Sequence, residues 1–478
     1  MERTKIIKKI LWVLIVVMVF LIVAFLLGII LGGIKSSFEA EKPENGTVAP
    51  EAQTERPAET ETPSPEITES PTEYISPTPE ETATPEPITF KDVNLAVVGD
   101  VVIYSSMWES AKKYGGGEYD FSEITKYIKD MASAADLAVF NYEGNCAGAE
   151  AGYSHYPTFN APDNIITTMS SSGFDVSLFA NNHTYDKGHN GFMRTQQIMK
   201  NNGLRTYGTR MSQNGKSYGI YEVNGIKIGI LNYTYESGPD EYDNDPSAKF
   251  LNGNRLDSAD VELVDSFNYA RMNDFYVGVG SRISEMKADG ADFIIFFIHW
   301  GEEYKENANG TQKTIAKNLC NLGVNALIGM HPHVVQPAET FVSDNGANRM
   351  ICYYSLGNFA SAQNRTTFQS KPDYAWLTEN EIMANLTLRK YSTGEALVVK
   401  AQYEPLWSHR HSMEGRVVTN IVPLNKALVN EETMTAYGLK ESSFGVDHAK
   451  TAKEYIDGQM AAGIEAFNAG VVLPHEGS

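Results

Sequence analysis

The 478-residue chain carries 60 aspartates and glutamates against 39 lysines and arginines, a formal net charge of −21 with a pI of about 4.9. That balance excludes a nucleic-acid groove, because a phosphate backbone demands clustered Lys and Arg, so an anionic partner has to be held locally. Three cysteines, Cys146, Cys320 and Cys352, with no CxxC pair exclude a disulfide scaffold and a thiolate zinc site and read as free packing thiols.

From Ile10 to Ile34 the chain has 25 residues without a charge, enough to cross a hydrocarbon core of about 30 Å. Arg3, Lys5, Lys8 and Lys9 precede it, and a positive flank stays cytoplasmic, which predicts a single-pass membrane protein with everything after Lys35 outside the cell. The apolar length and the lack of an A-x-A site favour a retained anchor over a cleaved signal peptide. Residues 36–90 then hold ten of the twenty prolines and thirteen glutamates against Lys42 and Arg56. Such a segment cannot bury enough apolar surface to fold, and predicts a disordered spacer reaching on the order of 150 Å.

Beyond Asp92, apolar runs alternate with amphipathic stretches, the pattern of a layered α/β domain. Strand 94–100, helix 121–136, strand 136–143, a helix within 161–175 and strand 176–182 follow in order. Helix 192–202 is stopped by Gly203, and Asn224-Gly225 turns a hairpin between 219–223 and 226–233. Residues 237–258 read as a polar surface loop, then a helix at 283–290, strand 292–300, helix 314–323, and strands at 325–333, 349–359 and 396–407. A helical pattern at 451–469 ends the chain. The expected division is 1–35 anchor, 36–90 linker, 91–425 folded domain, and 426–478 a helical extension packed on that domain.

Five of these strands end on metal-type or phosphate-type polar residues: Asp100; Asn141 and Glu143; Asn182, His183 and Asp186; His299 and Glu303; His331 and His333. In open α/β sheets the carboxyl ends of strands meet at one crevice, so residues distant in sequence converge there. His331-Pro332-His333 is the most specific element: on an extended stretch two imidazoles two apart face the same way. An amide and an imidazole at Asn182-His183 can bind metal and protonate a leaving group. Imidazole mixed with hard oxygen ligands suits manganese, iron or zinc, one or two divalent ions, better than calcium. Gly215-Lys216-Ser217 is not a phosphate loop, since Arg210 stands where its first glycine belongs and a hairpin follows. The acidic stretch around Asp243 and Asp245 lacks the glycine and distal glutamate of a calcium loop, and no serine nucleophile elbow is present.

The ordered set GD, NYEG, ANNHTYDKG, HWGEEY, GMHPHVVQ and YSLGNF resembles the CapA family of poly-gamma-glutamate capsule synthesis proteins over roughly residues 92–425. The resemblance implies a calcineurin-like metallophosphoesterase fold, four layers with two central mixed sheets flanked by helices. It implies metal positions at Asp100, Glu143, Asn182, His299, His331 and His333, with His183 as the acid and Asn358 and Glu303 as supporting residues. Val101 and Val102 follow Asp100 where that superfamily has Asp-x-His, and Glu143 replaces its bridging aspartate, which implies that one metal site is weak or absent. The expected function is a membrane-anchored capsule or polyglutamate factor with a metal-dependent hydrolase or transferase site. The alternatives are a metallophosphoesterase acting on a wall or lipid phosphate and a non-catalytic assembly or export scaffold. Expected partners are an anionic polymer or phosphate-containing surface substrate, the membrane and a capsule synthesis complex.

Overall fold

The computed structural model describes residues 87–237, 248–367 and 372–474. The predicted membrane span and all but the end of the predicted spacer lie outside these residues, as do Asp243 and Asp245. Among the described residues no helix is long and apolar enough to cross a membrane.

Strands β1 (Phe90–Val101), β2 (Leu137–Tyr142), β3 (Val176–Leu178) and β4 (Arg205–Tyr207) run parallel as half of one sheet. The chain then crosses to a second sheet through β5 (Gly219–Val223) and β6 (Ile226–Tyr235), the predicted hairpin. Its turn residues Asn224 and Gly225 take φ of 53° and 75°, the left-handed pair that a two-residue turn of this hand requires. A small hairpin, β7 (Phe250–Leu251) with β8 (Asn254–Arg255), and β9 (Ser266–Phe267) follow. The second sheet is completed by β10 (Phe293–His299), β11 (Ala326–Met330), β12 (Val335–Val342) and β13 (Arg349–Leu356), in the order β12-β13-β11-β10-β6-β5 with β9 on β6. The chain returns to the first sheet as β14 (Asn358–Ala360), β15 (Asn380–Tyr391), β16 (Ala396–Met413) and β17 (Arg416–Pro423), in the order β17-β16-β15-β1-β2-β3-β4 with β14 on β1.

Alternation along the strands separates three cores. Val93, Leu95 and Val97 of β1 face Ile228, Ile295 and Ile328 in the space between the sheets, whereas Ala96 and Val98 face outward. On the outer side of the first sheet lie helices α1 (Ser105–Tyr114), α2 (Ser122–Thr125), α3 (Lys129–Ser133), α4 (Asn164–Ser171) and α5 (Gly188–Asn201), which bury Trp108, Ile124, Ile165 and Phe192 there. Helices α6 (Met272–Ala288) and α7 (Gly310–Asn321) cover the other sheet with Val279, Ile283, Ile315 and Leu319. Each such side chain contributes about 1.5–3 kcal/mol on burial. Two mixed sheets between helical layers fit a metallophosphoesterase-like fold.

The C-terminal helix, Gly445–Ala469, adds Ala452, Ile456, Met460 and Phe467 to the core between the sheets. It is tied by Tyr455 Oη donating to the Val335 carbonyl at 2.9 Å and by the Asn468 side-chain amide, whose Oδ1 accepts from the Ala401 N–H and whose Nδ2 donates to the Ala401 carbonyl, both at 2.9 Å. A Cβ on Gly463 would lie 2.0 Å from the Ala338 carbonyl oxygen, so only glycine permits that approach.

Several sequence expectations need correction. The single helix expected over 121–136 is two short helices, because the chain bends at 126–128 while Ile124, Ile128 and Ala132 still face the sheet. The helix expected at 283–290 starts eleven residues earlier, at Met272. Part of the surface loop expected at 237–258 is the β7–β8 hairpin, held by buried Phe250, Leu251 and Leu256.

Candidate metal centre

The carboxyl ends of β1, β2, β10 and β11 and the segment after β3 converge at one edge of the sandwich. Asp100 pairs across the sheet with Asn141 and Asn358. Its Oδ1 accepts from Asn141 Nδ2 at 2.7 Å and its Oδ2 from the backbone N–H of His331 at 3.0 Å, which links the two sheets directly. A Cβ on Gly99 would meet the Gly357 carbonyl oxygen at 1.9 Å, so this crossing of backbones depends on glycine.

Glu143 sits just past β2, 1 % exposed, and neither carboxylate oxygen has a hydrogen-bond partner. Around Oε1 lie His299 Nε2 at 3.7 Å, His183 Nε2 at 3.8 Å and His333 Nε2 at 3.9 Å. These are too long for hydrogen bonds, but two donors each about 2.1 Å from a common cation stand roughly 3–4 Å apart. Two ligand groups result, Glu143 with His299 and His331, and Asp100 with Glu143 and His333, each within 4.8 Å, with Glu143 shared. Burial pushes the Glu143 carboxyl well above its ordinary range, with the charges of Asp100, Glu303 and Asp186 adding to it. Burial likewise raises Asp100, and it drives His299 and His331 well below the usual imidazole range, with neighbouring histidines adding to that. Leaving an unpartnered buried carboxylate is costly, and a divalent cation between it and neutral imidazoles removes that cost. The donor set therefore fits a transition-metal ion.

Asn182 Oδ1 and His299 Nε2 stand 2.8 Å apart, and His331 Nδ1 lies 3.2 Å from the same His299 nitrogen, so three potential ligand atoms crowd together here. His183 Nδ1 donates to Asp186 Oδ2 at 2.7 Å, which leaves Nε2 facing Glu143. Asp186 also accepts from the backbone of Phe159 at 2.7 Å and from Asn252 Nδ2 at 3.1 Å. The structure thus brings together Asp100, Glu143, Asn182, His183, Asp186, His299, His331 and His333. Glu303 lies at the exposed rim: among the described residues it makes no hydrogen bond to the cluster, but it is near enough for its charge to act on Glu143.

The expected extended geometry at His331-Pro332-His333 is not what forms. β11 ends at Met330, and His331 and His333 take left-handed φ of 98° and 58°. Such conformations cost of order 1–3 kcal/mol each and persist where the surroundings impose them. Here the His331 N–H is held by Asp100 and the Pro332 carbonyl accepts from the backbone of Tyr304 at 2.8 Å. Both rings are 3 % exposed, not solvent-facing, with centroids 6.0 Å apart.

Sequence reasoning missed the polar and aromatic shell. Tyr235 packs on His331 at 4.8 Å, Phe159 packs edge-on against His183 at 4.8 Å, and Asn252 arrives from the β7–β8 turn. Asn252 carries a weak signal, an Asn-Gly pair inside the polar stretch, whereas nothing in the sequence singles out Phe159. Cys146, Cys320 and Cys352 are buried free thiols.

Residues 94–363 match the family described as bacterial capsule synthesis protein PGA_cap. The chain is 25 % identical over 285 residues to a capsule biosynthesis protein CapA of Bacillus anthracis, covering 57 % of this chain and 61 % of that protein. It is 24 % identical over 366 residues to a PGA biosynthesis protein CapA of Bacillus subtilis, covering 74 % of this chain and 80 % of that one.

Proposed function

The chain belongs to the bacterial capsule synthesis protein (CapA) family, and from that premise we propose that it is a membrane-anchored extracellular factor of poly-gamma-glutamate capsule biosynthesis with a metal-dependent hydrolase or transferase site. The observation that carries the site reading is Glu143: a buried carboxylate with two unpartnered oxygens ringed by three imidazole nitrogens. Asp100, Glu143, His299, His331 and His333 would hold one or two divalent ions, with Asn182 as an amide-oxygen ligand. Such ions supply Lewis acidity and a bound water of lowered pKa. His183 delivers the proton to the leaving group from Nε2, and Asp186 keeps Nδ1 protonated and the ring oriented. The charge-free run 10–34 with its basic flank supports the anchor, and the acidic Pro-rich segment supports a spacer that carries the domain away from the bilayer. The substrate side is an anionic polymer or a phosphate-containing surface group, handled within a capsule synthesis complex.

Complementation tests this reading. In a poly-gamma-glutamate producer lacking its own copy, the full-length chain restores surface polymer and the His183→Ala variant does not. Full restoration by a metal-replete His183→Ala protein would instead assign it a scaffold or export role.

A further inference from the structure

Beyond the ligands, a directed chain of amide hydrogen bonds runs from the centre to its mouth. Asn358 Nδ2 faces three acceptors, the His333 carbonyl at 3.3 Å, the Thr378 carbonyl at 3.4 Å and Gln363 Oε1 at 3.0 Å. Flipping that amide would set its oxygen against two carbonyls, so its orientation is fixed by its surroundings. Oδ1 therefore accepts from His333 Nδ1 at 2.9 Å, which commits that proton to Nδ1 and leaves Nε2 with its lone pair toward Glu143. The same logic fixes the next link. With Oε1 occupied by Asn358, Gln363 turns Nε2 outward and donates to the hydroxyl of Tyr104 at 3.1 Å, with the hydroxyl of Tyr304 also in reach at 3.3 Å. Gln363 is 6 % exposed and Asn358 1 %, so water does not compete for these bonds.

The consequence falls on Tyr104. Its oxygen is already an acceptor, so its own O–H proton is directed to a different group. The ring is bracketed by both sides of the centre: it packs edge-on to Phe159 at 5.3 Å, which in turn packs on His183, while its hydroxyl connects through Gln363 and Asn358 to His333. Burial, with Glu143 and Glu303 nearby, pushes the phenol up to about 12, so it stays a donor across the neutral range. A protonated donor near Glu143 is suited to an anionic oxygen of whatever binds at the cation site.

We propose that Tyr104 is a substrate-contacting residue of this centre, its O–H donating to a phosphoryl or carboxylate oxygen of the ligand, and that Gln363 is the positioning residue that sets the direction of that O–H. The inference rests on the metal-centre reading above. Calorimetry on full-length, metal-loaded protein with inorganic phosphate and, separately, glutamate tests it. The wild type binds one of the two, and which one distinguishes a phosphoryl from a carboxylate ligand. Tyr104→Phe weakens that binding roughly tenfold to a hundredfold, the range for a hydrogen bond to a charged group, with metal content and melting temperature unchanged. Gln363→Met weakens it as well, but costs nothing further in the Tyr104→Phe background, because both changes remove the same donor. Equal anion affinity in wild type and Tyr104→Phe overturns the inference, as does an additive loss in the double variant for the role of Gln363. Metal uptake with binding of neither anion overturns it while the centre stands. Failure of the wild type to take up metal overturns the centre and this inference with it.

Discussion

Two groups of histidines in this molecule, one around Glu143 and one built on the buried pair His409 and His411, differ in chemistry. His183, His299, His331 and His333 surround Glu143 at the edge of the sandwich, where the carboxylate has no other partner. His409 and His411 lie on β16 with ring centroids 4.3 Å apart; His409 stacks on Trp407 at 4.8 Å and is capped by Ser442 Oγ at 2.8 Å, while His448 of the C-terminal helix packs on Phe444 at 4.8 Å. The first group has carboxylates within 4 Å and a strained backbone. The second has aromatic neighbours in place of carboxylate ligands, and among the described residues it does not form a three-ligand set. Clustered imidazoles alone therefore do not make a candidate ligand set. What distinguishes the first group is an acid among them that the protein has left unpaired.

The largest expected effect separates the groups by metal. For chelated protein, adding manganese or zinc at about a hundred times the dissociation constant stabilises the fold by roughly 2.7 kcal/mol, seen as a rise in melting temperature. The rise disappears in a His331→Ala, His333→Ala double variant and persists in His411→Ala. A rise of equal size in all three would break the distinction.

Turnover gives the next contrast. If the centre is catalytic, His183→Ala retains metal and loses about 10²–10⁴ in rate, since it removes a proton donor and not a principal ligand. Asn182→Ala instead lowers metal occupancy, because its amide oxygen is a proposed ligand. Elemental analysis beside a rate measurement distinguishes the two; metal loss in His183→Ala would reassign that residue as a ligand.

Acid probes the second group. Burial, with the charges of His411 and His448 adding to it, pushes His409 down to about 3. A depressed histidine pKa means that the unfolded chain binds the extra proton, so this contribution to stability is complete above the ordinary 6.5 and is lost as pH falls toward 3. Each pH unit in that window costs about 1.4 kcal/mol per such group. Denaturant titrations between pH 6.5 and 4 check this: His409→Asn flattens the slope by about one proton, and an unchanged slope would remove His409 from the account.

The smallest effect concerns packing. Gly463→Ala places a methyl against the Ala338 carbonyl and costs roughly 1–3 kcal/mol by overpacking, without changing metal content.

The legible part of this chain was the part written in short-range rules. Apolar runs that end on Asp100, His299 and Met330 announce buried parallel strands and their functional ends, and Asn224-Gly225 announces a hairpin. β15, the partner of β1 that anchors β14–β17 to the first sheet, was missed, since Asn380 and Glu381 open it with polar side chains that are nonetheless fully buried. The candidate ligand positions are visible in the sequence because they punctuate strands. Their geometry is not: the left-handed turn at His331 and His333 depends on Asp100, more than two hundred residues away in sequence. Asn252, Phe159 and Gln363 reach the centre through loops, and no periodicity predicts where a loop side chain lands.

Metal content of the purified full-length protein, wild type against Glu143→Ala, tests the central claim most directly. Because Glu143 belongs to both ligand groups, the account predicts one to two equivalents of a divalent transition metal in the wild type and nearly none in the variant, with His411→Ala at the wild-type level. Equal metal in wild type and Glu143→Ala, or none in either after purification without chelator and reloading, would contradict it.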